Sequence, residues 1–422
     1  MTAFHGWTPR VAVSGMVLAT CLLAGVAPVR AQIAPPFAQL FRETEHAPRQ
    51  VELQAEADKA AGLARQAHAR PNPTVSLMTE NVAGDRPYDG FGRSENTFQI
   101  NQPIELGGKR SARIAAGEAG IEAAQARTRE GRLTFAYDLA RAYAAAEIAD
   151  RRIDLAQDEV EEAEADLKAA RAMVQAGKEA RLRSLQAETD ANAMRAMLDA
   201  ARADRVGAYS RLSALSGQPI AFAGLAEPLL ARLEARSGYG PVDPRSSAPF
   251  LTAKADSEAA RHRVALAERQ AVPDLTVSVG LRRLEIDNAN ALIAGISLPF
   301  PLFDRNRGNI DAAQADLRGA EARKAALLLE TEAEIKASLA LNDAADARAI
   351  AADRTLRTAE ESYRLARIAY EAGKSPLIEL LAARHGLGTA RGIVLDAAAT
   401  RFDARARLAR LSGRTITGEE IQ

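Results

Sequence analysis

Few side chains in this 422-residue sequence are spaced to do chemistry. Beyond residue 31 there are four histidines, His46, His68, His262 and His385. None lies three or four positions from another, the spacing that would put two metal ligands on one helix face. His262 sits between Arg261 and Arg263, whose charges repel a cation. The lone cysteine, Cys21, has no partner for a disulfide or a thiolate metal site. No glycine-rich phosphate loop, His-Glu-x-x-His pair or nucleophile elbow is present. An acidic run, Glu159–Glu164, either favours cations near it or is the solvated face of a helix. No catalytic constellation, metal site or cofactor is expected, so function must reside in the architecture.

Composition narrows that architecture. Fifty-five basic residues balance 55 acidic ones, which disfavours a nucleic-acid binder, because such proteins carry a basic surplus. Aromatic residues make up 5% of the chain, too few for base-stacking platforms. Much of the 47% apolar content is alanine, the best helix former and a small contributor of buried area, so long helices are expected.

The amino terminus reads as a leader. Arg10 precedes an uncharged run from Val11 to Pro28, and Val29-Arg30-Ala31 places small residues where a signal peptidase reads. Residues 1–31 are therefore expected to be a signal peptide, cut between Ala31 and Gln32. Gly15, Gly25 and Pro28 weaken the alternative of a retained membrane helix. A lipoprotein leader would need Cys21 as acceptor, but Thr20 before it and Leu22-Leu23 after it suit the apolar core of an ordinary leader. Removal takes Arg10 and Arg30 and no acid, leaving 53 basic against 55 acidic residues.

The remainder repeats itself. Pro299-Phe300-Pro301-Leu302 follows Pro103-Ile104-Glu105-Leu106 by 196 positions. The same offset carries Ala176-Gly177-Lys178 onto Ala372-Gly373-Lys374, and Arg211–Gly217 onto Arg407–Gly413. A first repeat is expected over 32–216, with a β-hairpin near 73–102 and a helical hairpin over 109–216. A linker over 217–249 holds five of the 18 prolines. The second repeat runs 250–413, with a β-hairpin near 274–300 and a helical hairpin over 305–413, followed by a tail at 414–422. Strand signals come from alternation: Val75, Leu77, Phe98 and Ile100, then Val277, Val279, Leu281, Leu292, Ile296 and Leu298.

The helical segments carry a heptad. Positions 139, 146, 153, 160, 167 and 174 are Leu, Ala, Ile, Val, Leu and Val, and positions 142, 149, 156, 163 and 170 are all Ala. A strict seven-residue period imposes a left-handed supercoil, and alanine lets neighbouring helices approach closely. Ala345, Ala352, Ala359 and Ala366 repeat the seam in the second half. By itself this suits a soluble antiparallel coiled-coil scaffold. The strands favour another reading. No segment is left to cover a soluble sheet, and spanning strands need about 9–11 residues with one apolar face. Four strands cannot close a membrane barrel, whereas three copies supply twelve and leave an aqueous lumen.

Gln102-Pro103-Ile104-Glu105-Leu106-Gly107-Gly108-Lys109-Arg110 and Leu298-Pro299-Phe300-Pro301-Leu302-Phe303-Asp304-Arg305-Asn306-Arg307-Gly308-Asn309-Ile310 resemble the TolC-type outer-membrane efflux family. Pro71-Asn72-Pro73 and Glu80-Asn81 are similar to its CzcC-like subgroup, the outer-membrane components of heavy-metal efflux systems. The resemblance spans essentially the whole chain after the leader. It implies a mainly α protein with a transmembrane β-barrel portion: a homotrimer with a 12-stranded barrel in outer-membrane lipid and a coiled-coil α-barrel in the periplasm of a Gram-negative bacterium. It implies an exit duct for a periplasmic membrane-fusion adaptor and an inner-membrane RND pump, with divalent heavy-metal cations as expected cargo. A soluble scaffold or adaptor, or a duct for drugs or secreted proteins, are the alternatives. It further implies that the turns at Gly177, Lys178, Gly373, Lys374 and Ser375 form the adaptor-contacting tip. Six residues after each glycine, where the family often has a constricting acid, stand Arg183 and Glu379. Glu379 fits a carboxylate ring and Arg183 departs from the pattern; the two either pair across a closed tip or are solvated surface charges.

Overall fold

The computed structural model describes residues 32–234 and 242–421. The expected leader thus lies outside the described residues, which begin at Gln32. The first half runs β1 (Ile33–Ala34), α1 (Phe37–Glu43), α2 (Pro48–His68), β2 (Thr74–Glu80), β3 (Glu95–Ile104), α3 (Lys109–Gln175) and α4 (Arg181–Leu215). A connection holding β4 (Gly224–Leu225) and α5 (Leu229–Glu234) leads to the second half. That half comprises α6 (Ala248–Gln270), β5 (Leu275–Leu284), β6 (Ala289–Ser297), α7 (Arg307–Glu371) and α8 (Leu377–Leu411).

No proline interrupts α3 or α7, which run for 67 and 65 residues. At 1.5 Å per residue each is about 100 Å long. Their ends are set by glycine. The Lys178 N–H donates to the Met173 carbonyl and the Gly177 N–H to that of Val174, both at 3.0 Å. Lys374 and Gly373 repeat the pairing onto Ala369 and Tyr370 at 2.8 Å. This helix-ending motif needs a left-handed residue, which Gly177 and Gly373 supply with φ of 71° and 69°.

The alanine seam is buried along its length in α3: Ala142, Ala149, Ala156, Ala163 and Ala170 are all at most 7% exposed. Ile153, Val160 and Val174 are half-buried. In α7, Ala345 and Ala352 are buried but Ala359 and Ala366 only partly so. The difference follows from position, since α3 packs against α2, α4, α6 and α8, whereas among the helices α7 packs mainly on α6 and α8. Two apolar cores dominate. One lies midway along α3 and gathers Phe37, Phe135, Leu139, Tyr143, Tyr209, Phe222 and Phe402. The other, nearer the tip turns, joins α3, α4, α7 and α8 around Leu167, Met194, Tyr370, Leu380 and Leu387. At the first core β1 pairs in parallel with β4, an element the sequence pattern did not announce.

The four longer strands form one antiparallel sheet in the order β2-β3-β5-β6, so the two hairpins join through β3 and β5. Strand β6 stops at Ser297, short of the expected Phe300, because Pro299 and Pro301 have no N–H to continue a ladder. Strand β3 continues past the expected Gln102 to Ile104, where β5 offers a partner, Leu275. Register aligns Leu77, Phe98, Leu281 and Leu292 across the sheet on one face. These four are 73%, 49%, 56% and 74% exposed. The opposite face carries Ser76, Gln99, Asn101, Ser278 and Thr276. A Cβ on Gly280 would lie 2.4 Å from the Phe98 carbonyl oxygen, so glycine permits the close approach of β3 there. One face is thus mainly apolar and the other carries most of the polar side chains.

Because Ala163 and Ala170 sit at helix crossings with no spare volume, Ala170→Leu should destabilise by about 1–3 kcal/mol. Thermal unfolding of the detergent-solubilised protein, followed by far-ultraviolet circular dichroism, checks this.

Candidate functional site

The two turns that end α3 and α7 lie side by side. The Tyr370 hydroxyl, on a fully buried ring, donates to Glu179 Oε2 at 3.3 Å and so ties α7 to the turn of the first half. Gly177, Lys178, Gly373 and Lys374 are exposed, and Ser375 is half-buried. Arg183 lies in the first turn of α4, where its Nη1 donates to Gln186 Oε1 at 3.0 Å. Glu379 is exposed in the first turn of α8, where a carboxylate complements the helix dipole. Within one protomer the fold brings the turns together but does not join Arg183 to Glu379.

A set of buried charges lies near this end of the helices. Arg384 of α8 and Asp166 of α3 each have side chains 2% exposed, with Nε 3.2 Å from Oδ2. Arg384 Nη2 also meets Asp190 of α4. The Tyr363 hydroxyl of α7 donates to Asp166 Oδ1 at 3.4 Å, so all four long helices meet here. His385 Nε2 lies 3.1 Å from Asp190 Oδ1 on the solvent side. Burial pushes the Asp166 carboxyl up to about 6 against the pull of the Arg384 guanidinium. Burial likewise lowers Arg384. Sequence reading overlooked this cluster, although a signal existed. Leu377, Leu380, Leu381, Arg384 and Leu387 follow the spacing of one helix face, which puts an arginine at a core position.

The acidic run has partners. Glu162 pairs with Arg391 at 3.0 Å and Glu164 with Arg195 at 2.7 Å. Glu159 is half-buried against Gly388, and burial raises its carboxyl above the usual range. These carboxylates fasten α3 to α8 and α4. His46, His68 and His262 are exposed. Among the described residues no group of three metal-ligating side chains gathers, and no described helix is long and apolar enough to cross a membrane.

The pattern of the family described as "Outer membrane efflux protein" matches residues 44–218 and again 246–414. The chain belongs to that family. The nickel-cobalt-cadmium resistance protein NccC of Alcaligenes xylosoxydans xylosoxydans is 39% identical over 93% of this chain and 90% of its own. The cobalt-zinc-cadmium resistance protein CzcC of Cupriavidus metallidurans is 30% identical over 85% of both. Among solved structures, CusC superposes with a TM-score of 0.77 at 17% identity, covering 90% of this chain and 92% of that one. The MtrE channel of Neisseria gonorrhoeae gives 0.76 at 20%, covering 94% and 95%. This outer membrane efflux protein therefore shares the channel fold, with its sheet as the membrane portion and its long helices in the periplasm.

Removing Arg384 would strand the buried Asp166 carboxylate and take a partner from Asp190, so Arg384→Ala should cost about 3–5 kcal/mol at pH 8. A carboxyl raised from its usual range holds protons more tightly folded than unfolded. Its contribution to stability is then present below about pH 4 and lost as pH rises through about 6. The Arg384→Ala penalty should shrink at pH 5, and Asp166→Asn should flatten the stability profile between about pH 4 and 6. Urea unfolding at each pH measures both.

Proposed function

We propose that this protein is the exit duct of a tripartite efflux system, conducting divalent heavy-metal cations passively across the outer membrane. The observation that carries the reading is the polarity of the sheet, whose one face exposes Leu77, Phe98, Leu281 and Leu292 while the other carries most of its polar side chains. Hydrocarbon leaves no water for unpaired backbone groups, and strands β2 and β6 have free edges in the protomer. A homotrimer that pairs β2 of one copy with β6 of the next closes twelve strands around a lumen wide enough for water. The exposed apolar residues of α7, among them Leu329, Leu341 and Ile350, are then available to neighbouring copies. Divalent metal as cargo is supported by the names of NccC and CzcC. The partners that follow are a periplasmic adaptor docking at the Gly177–Lys178 and Gly373–Ser375 turns and an inner-membrane RND pump. At this tip Glu379 contributes to a three-carboxylate ring, and Arg183 is its candidate counter-charge across protomers.

A strain lacking the gene should lose tolerance to nickel, cobalt, cadmium or zinc, and the intact gene should restore it. Unchanged tolerance to all four, with sensitivity to organic drugs instead, would reassign the cargo. Recovery of the protein from the soluble periplasm without detergent would sink the duct itself. Trimers carrying Glu379→Ala should show lower cation-over-anion selectivity in planar bilayers; unchanged conductance and selectivity would remove Glu379 from the aperture.

A further inference from the structure

The register places Glu80 of β2 directly opposite Glu95 of β3, at the sheet end farthest from the helices. Like charges facing each other across a strand pair repel. Arg282 of β5 intervenes on the same face. Its Nη1 lies 2.8 Å from Glu95 Oε2, its Nη2 is 3.4 Å from Glu80 Oε2, and its Nε donates to Thr97 Oγ1 at 3.0 Å. The Glu80 Oε2 atom is buried and accepts no hydrogen bond, so the guanidinium is its compensation. Register assigns Thr74, Ser76, Met78 and Glu80, and on the neighbouring strands Thr97, Gln99, Ser278, Gly280 and Gly295, to this face. Among the strand residues of that face, Glu80, Glu95 and Arg282 are the charged ones.

Two adjacent carboxylates facing a water-filled passage are a ligand set for a divalent cation. Here the planar, permanently charged guanidinium occupies the position such an ion would take. We propose that Arg282 is a built-in counter-cation that keeps Glu80 and Glu95 from retaining divalent cargo at the outer end of the duct. The cluster keeps one net negative charge per protomer, which attracts cations, while the pair of oxygens that would hold one is already filled. This rests on the duct reading, in which the face carrying these three residues lines the passage.

The test uses purified trimers in planar bilayers with potassium chloride, titrated with cadmium chloride. R282Q should be half-blocked at a cadmium concentration at least about tenfold below that affecting the wild type, a difference of about 1.4 kcal/mol in site affinity. The triple variant E80Q/E95Q/R282Q should return to wild-type behaviour. Equal cadmium block in wild type and R282Q overturns the proposal. E80Q/E95Q keeps Arg282 uncompensated, so it tests the same idea even where R282Q fails to assemble. Its reversal potential should shift toward anion preference, and an unchanged value also overturns the proposal. A wild-type protein that forms no pore overturns the duct reading and this inference together, whereas a conducting wild type without these differences overturns the inference alone.

Discussion

Edge strands β2 and β6 each leave a row of N–H and C=O groups without partners inside the protomer, beside an exposed apolar face built of Leu77, Phe98, Leu281 and Leu292. In water that face would cost hydrophobic free energy, and in lipid those edges would cost several kcal/mol per unpaired group. Closing the sheet with other copies removes the edge cost, and surrounding lipid removes the cost of the apolar face. Much else follows from closure. The hairpins must be adjacent, so β3 pairs with β5 across the two repeats. The face turned to an aqueous lumen must be polar, which accounts for serine, threonine and glutamine there, and the close approach of β3 to β5 accounts for glycine at 280.

The helical part meets a different demand, length without a thick core. Alanines along α3 let four helices crowd around it, so area buried per residue is small but the seam is long. Two aromatic-rich or leucine-rich cores punctuate it rather than one continuous interior. Between α3, α4 and α8 the Asp166–Arg384–Asp190 cluster adds charges whose desolvation is offset by mutual pairing. Replacing such a buried set by well-packed apolar side chains is often neutral or stabilising, so its presence is weak evidence for stability. The unequal burial of the two repeats shows that duplication of sequence did not produce equal environments, because α3 is central and α7 peripheral in the protomer.

Much of this was readable beforehand, for identifiable reasons. The strands of alternating Val, Leu and Ile, the unbroken helices and the Gly177 and Gly373 turns are local features, dictated by period, propensity and a positive φ. The family motifs around Gln102–Arg110 and Leu298–Ile310 named the fold class because they mark the junctions between sheet and helix. The acidic run was ambiguous for a physical reason: whether Glu162 and Glu164 are free depends on Arg391 and Arg195, which lie 229 and 31 residues away. The β1–β4 pair was missed because two-residue strands carry no periodic signal.

The sequence by itself determined the duplication, the order of strands and long helices, the places where helices must stop, and an alternation that commits one sheet face to apolar surroundings. These depend on neighbours within a few residues, where spacing alone carries the physics. Only the tertiary structure decided that the two hairpins join through β3 and β5, that α3 rather than α7 is central, and that Arg384 and Arg282 each stand between two carboxylates. Those outcomes depend on which distant side chains come within hydrogen-bond reach, and a charge is stabilised or stranded by its partners in space rather than by its neighbours in the chain.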